Sequence, residues 1–288
     1  MRGAGSHLTA PPVLVIEPSR GIGSLRLAEL WEYRELLYFL VWRDLKVRYK
    51  QTLLGAVWAI LQPLATAVVF TLFFGRIAKI SSDGIPYPLF AYTGLLIWTL
   101  FSQGLMQASN SLVGSANLIT KVYFPRLCIP VAAVIACLVD LAVAFPLLVA
   151  LMAYHRVMPV LGLLALPAFL LLALLATIGV GLWLSALNVR YRDVRHAVPF
   201  LIQLWLFLSP VIYPASLITP RLEKLGVPGW VLGCNPVTGA VEGFRWALLR
   251  PDTNPWPLVA ASTASTFVIL VTGMFYFRSV ERSFADVV

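Results

Sequence analysis

The chain has 288 residues, of which 59% are hydrophobic and only 12% are charged. Soluble domains carry about 25% charged residues, so this chain has too few charges to cover the surface of a water-soluble globule. The composition predicts an integral membrane protein whose solvent is mostly lipid. The formal net charge of +9 comes from cations in short segments between apolar runs, which favours a topology signal over nucleic-acid binding.

The first predicted element follows a lead-in of residues 1–28, which contains several prolines and glycines and is expected to be flexible and cytoplasmic. A helix is predicted over 29–50, where the apolar block 36–42 is too short to cross a bilayer and is followed by cations. Aromatic residues beside cations are typical of a helix that lies in the membrane interface. We therefore predict an N-terminal interfacial amphipathic helix; a polar extension of the first span is the alternative.

Charge-poor stretches predict the membrane spans, because a helix needs about 17–25 apolar residues to cross a bilayer. Six spans are predicted, at residues 53–75, 88–107, 128–153, 160–187, 197–213 and 256–277. The loop 214–255 is rich in Pro, Gly and Trp and contains a helix-like segment at 239–249. Irregular backbone at membrane depth needs protein or a water-filled path beside it, so short re-entrant helices at a channel mouth are predicted. The predicted fold is an all-α membrane protein.

The distribution of Lys and Arg predicts the orientation of the chain in the membrane. With the N-terminus inside, most of the 22 lysines and arginines fall on cytoplasmic segments. Both termini are therefore predicted to be cytoplasmic.

Asp140 is the only carboxylate inside a predicted span. Such a residue is costly in lipid, so we expect it to pair with a cation or with hydroxyl groups of another span; a relay role is the alternative. The spacing of the three cysteines fits no zinc or redox motif, and the three histidines lie far apart in the sequence. No metal site is predicted.

Six segments spread over residues 36–250 form a recognisable pattern. They are WRDLKVRYKQTLLGAVWAILQP at 42–63, KVYFPR at 121–126, LNVRYRDVRH at 187–196, LSPVIYP at 208–214, NP at 235–236 and EGFRW at 242–246. In these segments the chain resembles the permease subunit of the ABC exporters that move lipid-linked polysaccharides such as O-antigen, capsule and teichoic acid. Residues 29–288 would then form a single transmembrane permease domain.

This resemblance implies a multi-pass protein of the bacterial inner membrane that forms a homodimer and binds two copies of a separate ABC ATPase. The transported substrate would be a lipid-linked polysaccharide. ATP and magnesium would be bound by the partner, and no cofactor is expected on this chain. The sequence agrees, because it contains no G-x-x-x-x-G-K-[ST] phosphate loop, so the chain is not expected to be an enzyme.

The resemblance also implies contacts with the ATPase, since the loop at KVYFPR contributes a docking helix in that family. The expected contacts, in this loop and in the interfacial helix, are Lys121, Tyr123, Phe124, Arg126, Glu35 and Arg43. Tyr123 and Phe124 are expected to be exposed anchors for a partner groove, or else aromatic residues of the membrane interface.

Two further groups of residues are candidates for substrate contact. Three cations are predicted to meet the headgroup of the lipid carrier, unless they only set topology: Lys46, Arg48 and Lys50. Aromatic planes stack on the C–H faces of sugars, so the aromatics of spans one and five are predicted to line the sugar path, unless they pack or face lipid. These are Trp58, Phe70, Phe73, Trp205, Phe207 and Tyr213.

The segment 239–249 is predicted to close the outer end of the channel as a periplasmic gate. Glu242 and Arg245 share one face of this helix, and neither charge is stable against lipid. Phe244 and Trp246 are expected to point toward apolar surroundings. A half-inserted helix of this kind is predicted to rock outward at little cost.

Two other functions stay open, a secondary transporter or channel and a membrane enzyme that acts on lipid-linked sugars. Ion-coupled transporters usually carry several ionisable residues in their spans, or inverted repeats. An enzyme would need clustered carboxylates near the interface. The sequence has one charged residue in its predicted spans and no paired acids on the outer face, which favours the exporter permease.

Overall fold

The computed structural model describes residues 31–50, 57–122, 124–158, 161–249 and 254–281. Within these ranges the chain is built from helices and turns, with no β-strand. The all-helical prediction is therefore confirmed. The lead-in 1–28 and Tyr123 lie outside the described residues.

The described part of the chain contains ten α-helices. In chain order they are α1 Arg34–Lys50, α2 Val57–Phe70, α3 Tyr87–Gly114, α4 Ala116–Lys121, α5 Cys128–Tyr154, α6 Leu166–Arg190, α7 Val194–Leu208, α8 Ala215–Lys224, α9 Pro236–Leu249 and α10 Trp256–Glu281. A π-helical segment, Thr71–Ile77, extends α2. The 3-10 turns Leu161–Ala165 and Gly229–Cys234 precede α6 and α9.

Five helical segments among the described residues are long and apolar enough to cross a membrane. They are α2 with its extension, α3, α5, α6 with most of the preceding 3-10 turn, and α10. Each overlaps a span predicted from the sequence. The chain is therefore a multi-pass membrane protein.

The predicted fifth span, 197–213, is only partly helical. Helix α7 has 15 residues, which gives a length of about 22 Å, whereas the hydrocarbon core is about 30 Å thick. The helix ends at Leu208 because Ser209 precedes Pro210 and takes an extended conformation, as residues before proline commonly do. The count of five candidate spans thus differs from the predicted six.

Helix α3 lies at the centre of the bundle. Of its span, 78% is buried inside the protein, compared with 11% for α2 and 22% for α10. It packs mainly against α6 and α5. Close approach to α6 needs a glycine, since a Cβ on Gly104 would lie 2.5 Å from the methyl carbon of Thr177. The apolar face of α2, in contrast, is largely uncovered.

Helix α1 packs along α5 and has apolar residues on two sides. Leu40 is 4% exposed and belongs to an apolar cluster with the ends of α4, α5, α6 and α10. Tyr38, Phe39 and Trp42 are each more than half exposed. The helix predicted at this place is present, but it is not divided into one apolar and one polar face. Its position in a membrane interface stays a prediction.

The two ends of the bundle are named here by the residues that they carry. We call the end that carries Lys121, Arg126, Arg190 and Glu281 the basic end. The opposite end, which carries the segments 78–86 and 209–235, is called the far end.

Candidate functional site

An ion pair joins the last turn of α1 to the middle of α5. The Asp140 carboxylate lies about 18 Å along α5 from Cys128, by the usual rise per residue. It accepts hydrogen bonds from the Arg48 guanidinium and the Tyr49 hydroxyl. Arg48 also donates to the sulfur of Cys137 at 3.8 Å. A carboxylate at this depth needs a partner, and this pairing fixes the end of α1 against α5.

These contacts answer one prediction and modify another. The expected pairing of Asp140 with a cation is confirmed. Arg48, a candidate for headgroup contact, is directed at Asp140 instead. Lys46 and Lys50 are exposed, and their contact with headgroups stays a prediction.

A cavity of about 230 Å³ opens beside this ion pair. Helices α1, α2, α3 and α5 contribute polar side chains to its wall, namely Arg48, Tyr49, Gln62, Thr99, Gln103, Gln107 and Asp140. Trp58 adds its indole ring at the rim and is 57% exposed. A polar cavity between spanning helices is unusual, because such side chains gain nothing from contact with lipid.

A second buried polar site lies at the far end, around Arg245 of α9. Its guanidinium donates to the carbonyl of Pro210 and, at 2.6 Å, to that of Val211. It also pairs with the Glu242 carboxylate at 3.0 Å and lies 3.7 Å from the centre of the Phe90 ring. Arg245 therefore ties the turn after α7 to α9 and α3.

The surroundings of this pair disagree with a helix that moves at little cost. Burial raises the pKa of the Glu242 carboxyl, and the Arg245 guanidinium beside it opposes that rise. Phe244 is fully buried, as its predicted apolar surroundings require. Trp246 packs edge-on against Trp256, with ring centres 5.5 Å apart. Outward movement of α9 would break these contacts, so the expectation that this helix rocks outward at little cost does not agree with its packing. The role of α9 as a gate stays a prediction.

The loop between α4 and α5, at the basic end, corrects one expectation. Phe124 is 6% exposed, so the prediction that it is an exposed anchor is wrong. Helix α4 has six residues and has too little surface of its own to hold the loop, so Phe124 fills the gap between the helix ends. Arg126 binds the carbonyl of Glu281, and its backbone N–H donates to the carboxylate of the same residue. Lys121 remains exposed.

The aromatic residues predicted to line a channel fall into two groups. Trp58, Phe73 and Phe207 are 57%, 57% and 54% exposed, on the uncovered sides of α2, its π-helical extension and α7. The other three make contacts inside the protein. Phe70 packs edge-on against Phe74 at 5.5 Å, and the Tyr213 hydroxyl donates to the carbonyl of Phe207 at 3.0 Å.

Trp205 belongs to the second group and lies between α7 and the core. Its ring meets Phe101 edge-on, with centres 5.1 Å apart. Its indole N–H donates to the Oδ1 of Asn235 at 3.1 Å. Trp205 therefore fixes α7 against α3 and the Asn235 turn by contacts within this chain.

Comparison with known proteins identifies the chain. Residues 35–249 match the family described as ABC-2 type transporter. The chain belongs to this family. The resemblance found in the sequence is confirmed.

Relatives of this ABC-2 type transporter match almost end to end. It is 32% identical to the O-antigen export system permease protein RfbA of Myxococcus xanthus, over 90% of this chain and 97% of that protein. It is 25% identical to a protein of the same name from Klebsiella pneumoniae, over 88% and 95%. It is 24% identical to the polysialic acid transport protein KpsM of Escherichia coli, over 84% and 92%.

Asn235 is a residue of the transporter whose role the sequence did not reveal. It lies in the NP pair and joins three parts of the far end. Besides accepting from Trp205, its amide donates to the Ser209 hydroxyl at 2.9 Å, and its Oδ1 accepts from the Val237 N–H at 3.2 Å. Asparagine before proline indicates a turn, and the Val237 contact is local, but Trp205 and Ser209 lie 30 and 26 positions away in the sequence.

Proposed function

We propose that this chain is the channel-forming permease subunit of an exporter that moves lipid-linked polysaccharide across the bacterial inner membrane, driven by a separate ATPase. The observation that carries the proposal is the family match together with relatives named as permease or polysaccharide transport proteins. The absence of a phosphate loop from the sequence supports a separate source of ATP hydrolysis.

We further propose that two copies of the chain enclose the channel. Only 11% of the α2 span is buried, and Phe73 and Phe207 lie on uncovered faces of α2 and α7. A second copy would cover part of this surface. Trp58, Phe73 and Phe207 are the candidates for stacking on sugar rings along the path.

The orientation follows from the positive charges. We place the basic end in the cytoplasm, and with it both termini. Helix α7, completed by the turn 209–213, then crosses the membrane as the fifth span and brings the number of spans to six. Helices α8 and α9 return toward the outer leaflet. The pair Glu242 and Arg245, with Phe244 and Trp246, would hold the outer mouth in shape and gate it only through a larger rearrangement.

The ATPase would bind at the basic end in two copies. Lys121, Glu35 and Arg43 are exposed there and would contact it directly. Phe124 and Arg126 would act by fixing the loop, as their contacts indicate. ATP and magnesium would bind the ATPase, and this chain would need no cofactor.

The test uses proteoliposomes that contain this chain, its ATPase, or both, with a lipid-linked glycan extracted from the source bacterium. We expect ATP-dependent movement of glycan to the other leaflet only when both proteins are present, and no ATP hydrolysis by this chain alone. Movement driven by an ion gradient without ATPase would indicate a secondary transporter. Formation or cleavage of glycosidic bonds by the chain alone would indicate an enzyme.

A further inference from the structure

The cavity beside Asp140 lies within the membrane-spanning part of the bundle, nearer to the basic end. On α3, Gln107 is about 10 Å and Thr99 about 22 Å from the last helical residue, Gly114, by the usual helical rise. Asp140 lies near the middle of α5. The cavity thus extends from the half of the bundle that the proposed orientation places in the cytoplasmic leaflet to about the middle of the membrane.

Three glutamine amides lie on the wall of this cavity. Among the described residues, the structure shows no side-chain hydrogen bond for Gln62, Gln103 or Gln107, although each amide offers two donors and an acceptor. An amide without a partner is costly in hydrocarbon. Gln62 and Gln107 are exposed at the mouth of the cavity. The mouth must therefore face a polar path and not acyl chains.

The charge in this cavity is already balanced. The Arg48 guanidinium is paired with the Asp140 carboxylate, and the Tyr49 hydroxyl binds the same carboxylate. Among the described residues of the wall, no further cation is left to attract a phosphate or diphosphate. What the wall still offers is neutral: amide groups, the Thr99 hydroxyl and the indole of Trp58. Amide side chains with an aromatic plane suit a polyhydroxylated ring, whose hydroxyls bond and whose C–H face stacks.

We propose that this cavity is a binding site for one uncharged sugar residue of the glycan, entered from the channel. Gln62 and Gln103 bond the hydroxyls of the sugar, and Trp58 stacks on its face. At about 230 Å³, the cavity is smaller than the pockets of about 300–1,000 Å³ that hold drug-sized ligands, which fits a single ring. This inference rests on the proposed export of a polysaccharide.

The first experiment measures protection of the cavity from a thiol reagent. The variant Gln62→Cys is made in a chain in which two cysteines are replaced by serine, the exposed Cys234 and Cys137, which lines the cavity. Cys128 is buried. The complex with its ATPase is labelled alone, with the lipid-linked glycan fraction of the source bacterium, or with a polyprenyl diphosphate that carries no sugar. We expect slower labelling with the glycan only. Equal protection by both lipids, or by neither, would overturn the proposal.

The second experiment measures transport by Gln62→Leu and Gln103→Leu in proteoliposomes. Loss of one neutral hydrogen bond weakens binding by about 2- to 10-fold, so the glycan concentration for half-maximal transport should rise by that factor. The control Val268→Ala, at an exposed position of α10 outside the cavity, should leave it unchanged. If the glutamine variants need the same glycan concentration for half-maximal transport as the unchanged chain, the sugar site is contradicted and the proposed function is not. If the unchanged complex does not transport glycan, the proposed function itself is contradicted.

Discussion

Replacement of Arg245 by methionine tests how the far end of the bundle is held together. Methionine keeps much of the length of the side chain but removes every donor. The carbonyls of Pro210 and Val211 then lose their partner, and so does the Glu242 carboxylate. Because Arg245 is 3% exposed, water cannot readily take its place.

The expected cost follows from these contacts. A hydrogen bond to a charged group contributes about 1.5–3 kcal/mol, and removal of one partner of a buried ion pair costs about 3–5 kcal/mol. These figures describe the same guanidinium and overlap, so we expect the Arg245→Met substitution to cost about 3–5 kcal/mol. Glu242 keeps one hydrogen bond, from the Ala215 N–H at 3.3 Å, which places the cost toward the lower end of that range.

The assay is the free energy of unfolding of the purified chain in mixed micelles, titrated with SDS and followed by helix content. Arg245→Met, Glu242→Gln and the double variant form a cycle. Glu242→Gln should cost about 1–3 kcal/mol, and the double variant should cost less than the sum because it leaves no unpaired charge. A cost below about 1 kcal/mol for Arg245→Met, or strict additivity, would refute the reasoning.

Three further predictions concern the basic end and the topology. Asp140→Asn should weaken the attachment of α1 to α5 by about 1–3 kcal/mol, which would be measured as faster hydrogen exchange over residues 34–50. The charge-swapped double variant, Arg48→Asp with Asp140→Arg, should restore part of the protection. Unchanged exchange in Asp140→Asn would contradict the role of this ion pair in holding α1. Phe124→Ala should destabilise the chain by about 3–5 kcal/mol, whereas Lys121→Glu should reduce copurification of the ATPase without changing stability. If instead Phe124→Ala reduced copurification at unchanged stability and Lys121→Glu did not, the ATPase contact would lie on Phe124. Reporter fusions should place the C-terminus in the cytoplasm, and a periplasmic reporter would overturn the proposed orientation.

The sequence by itself determined that the chain is an integral membrane protein and where most of its spans lie. Few charges and long apolar stretches leave little choice, because backbone polar groups in hydrocarbon must be satisfied within helices. The same logic required a partner for Asp140. The end of α7 also had a local cause, since Pro210 disfavours helix at Ser209, although the predicted span ran past it to residue 213.

Only the tertiary structure decided which residues meet. Asp140 needed a cation, but that the cation is Arg48, 92 positions away, depends on α1 packing along α5. Phe124 follows an exposed lysine and precedes a proline, a local pattern that fits a surface loop equally well. Its burial depends on the ends of helices from distant parts of the chain. The partners of Arg245 in the turn after α7 are likewise set by packing. Which side chains meet, and which are buried, depends on how the helices assemble, and local sequence periodicity does not determine that assembly.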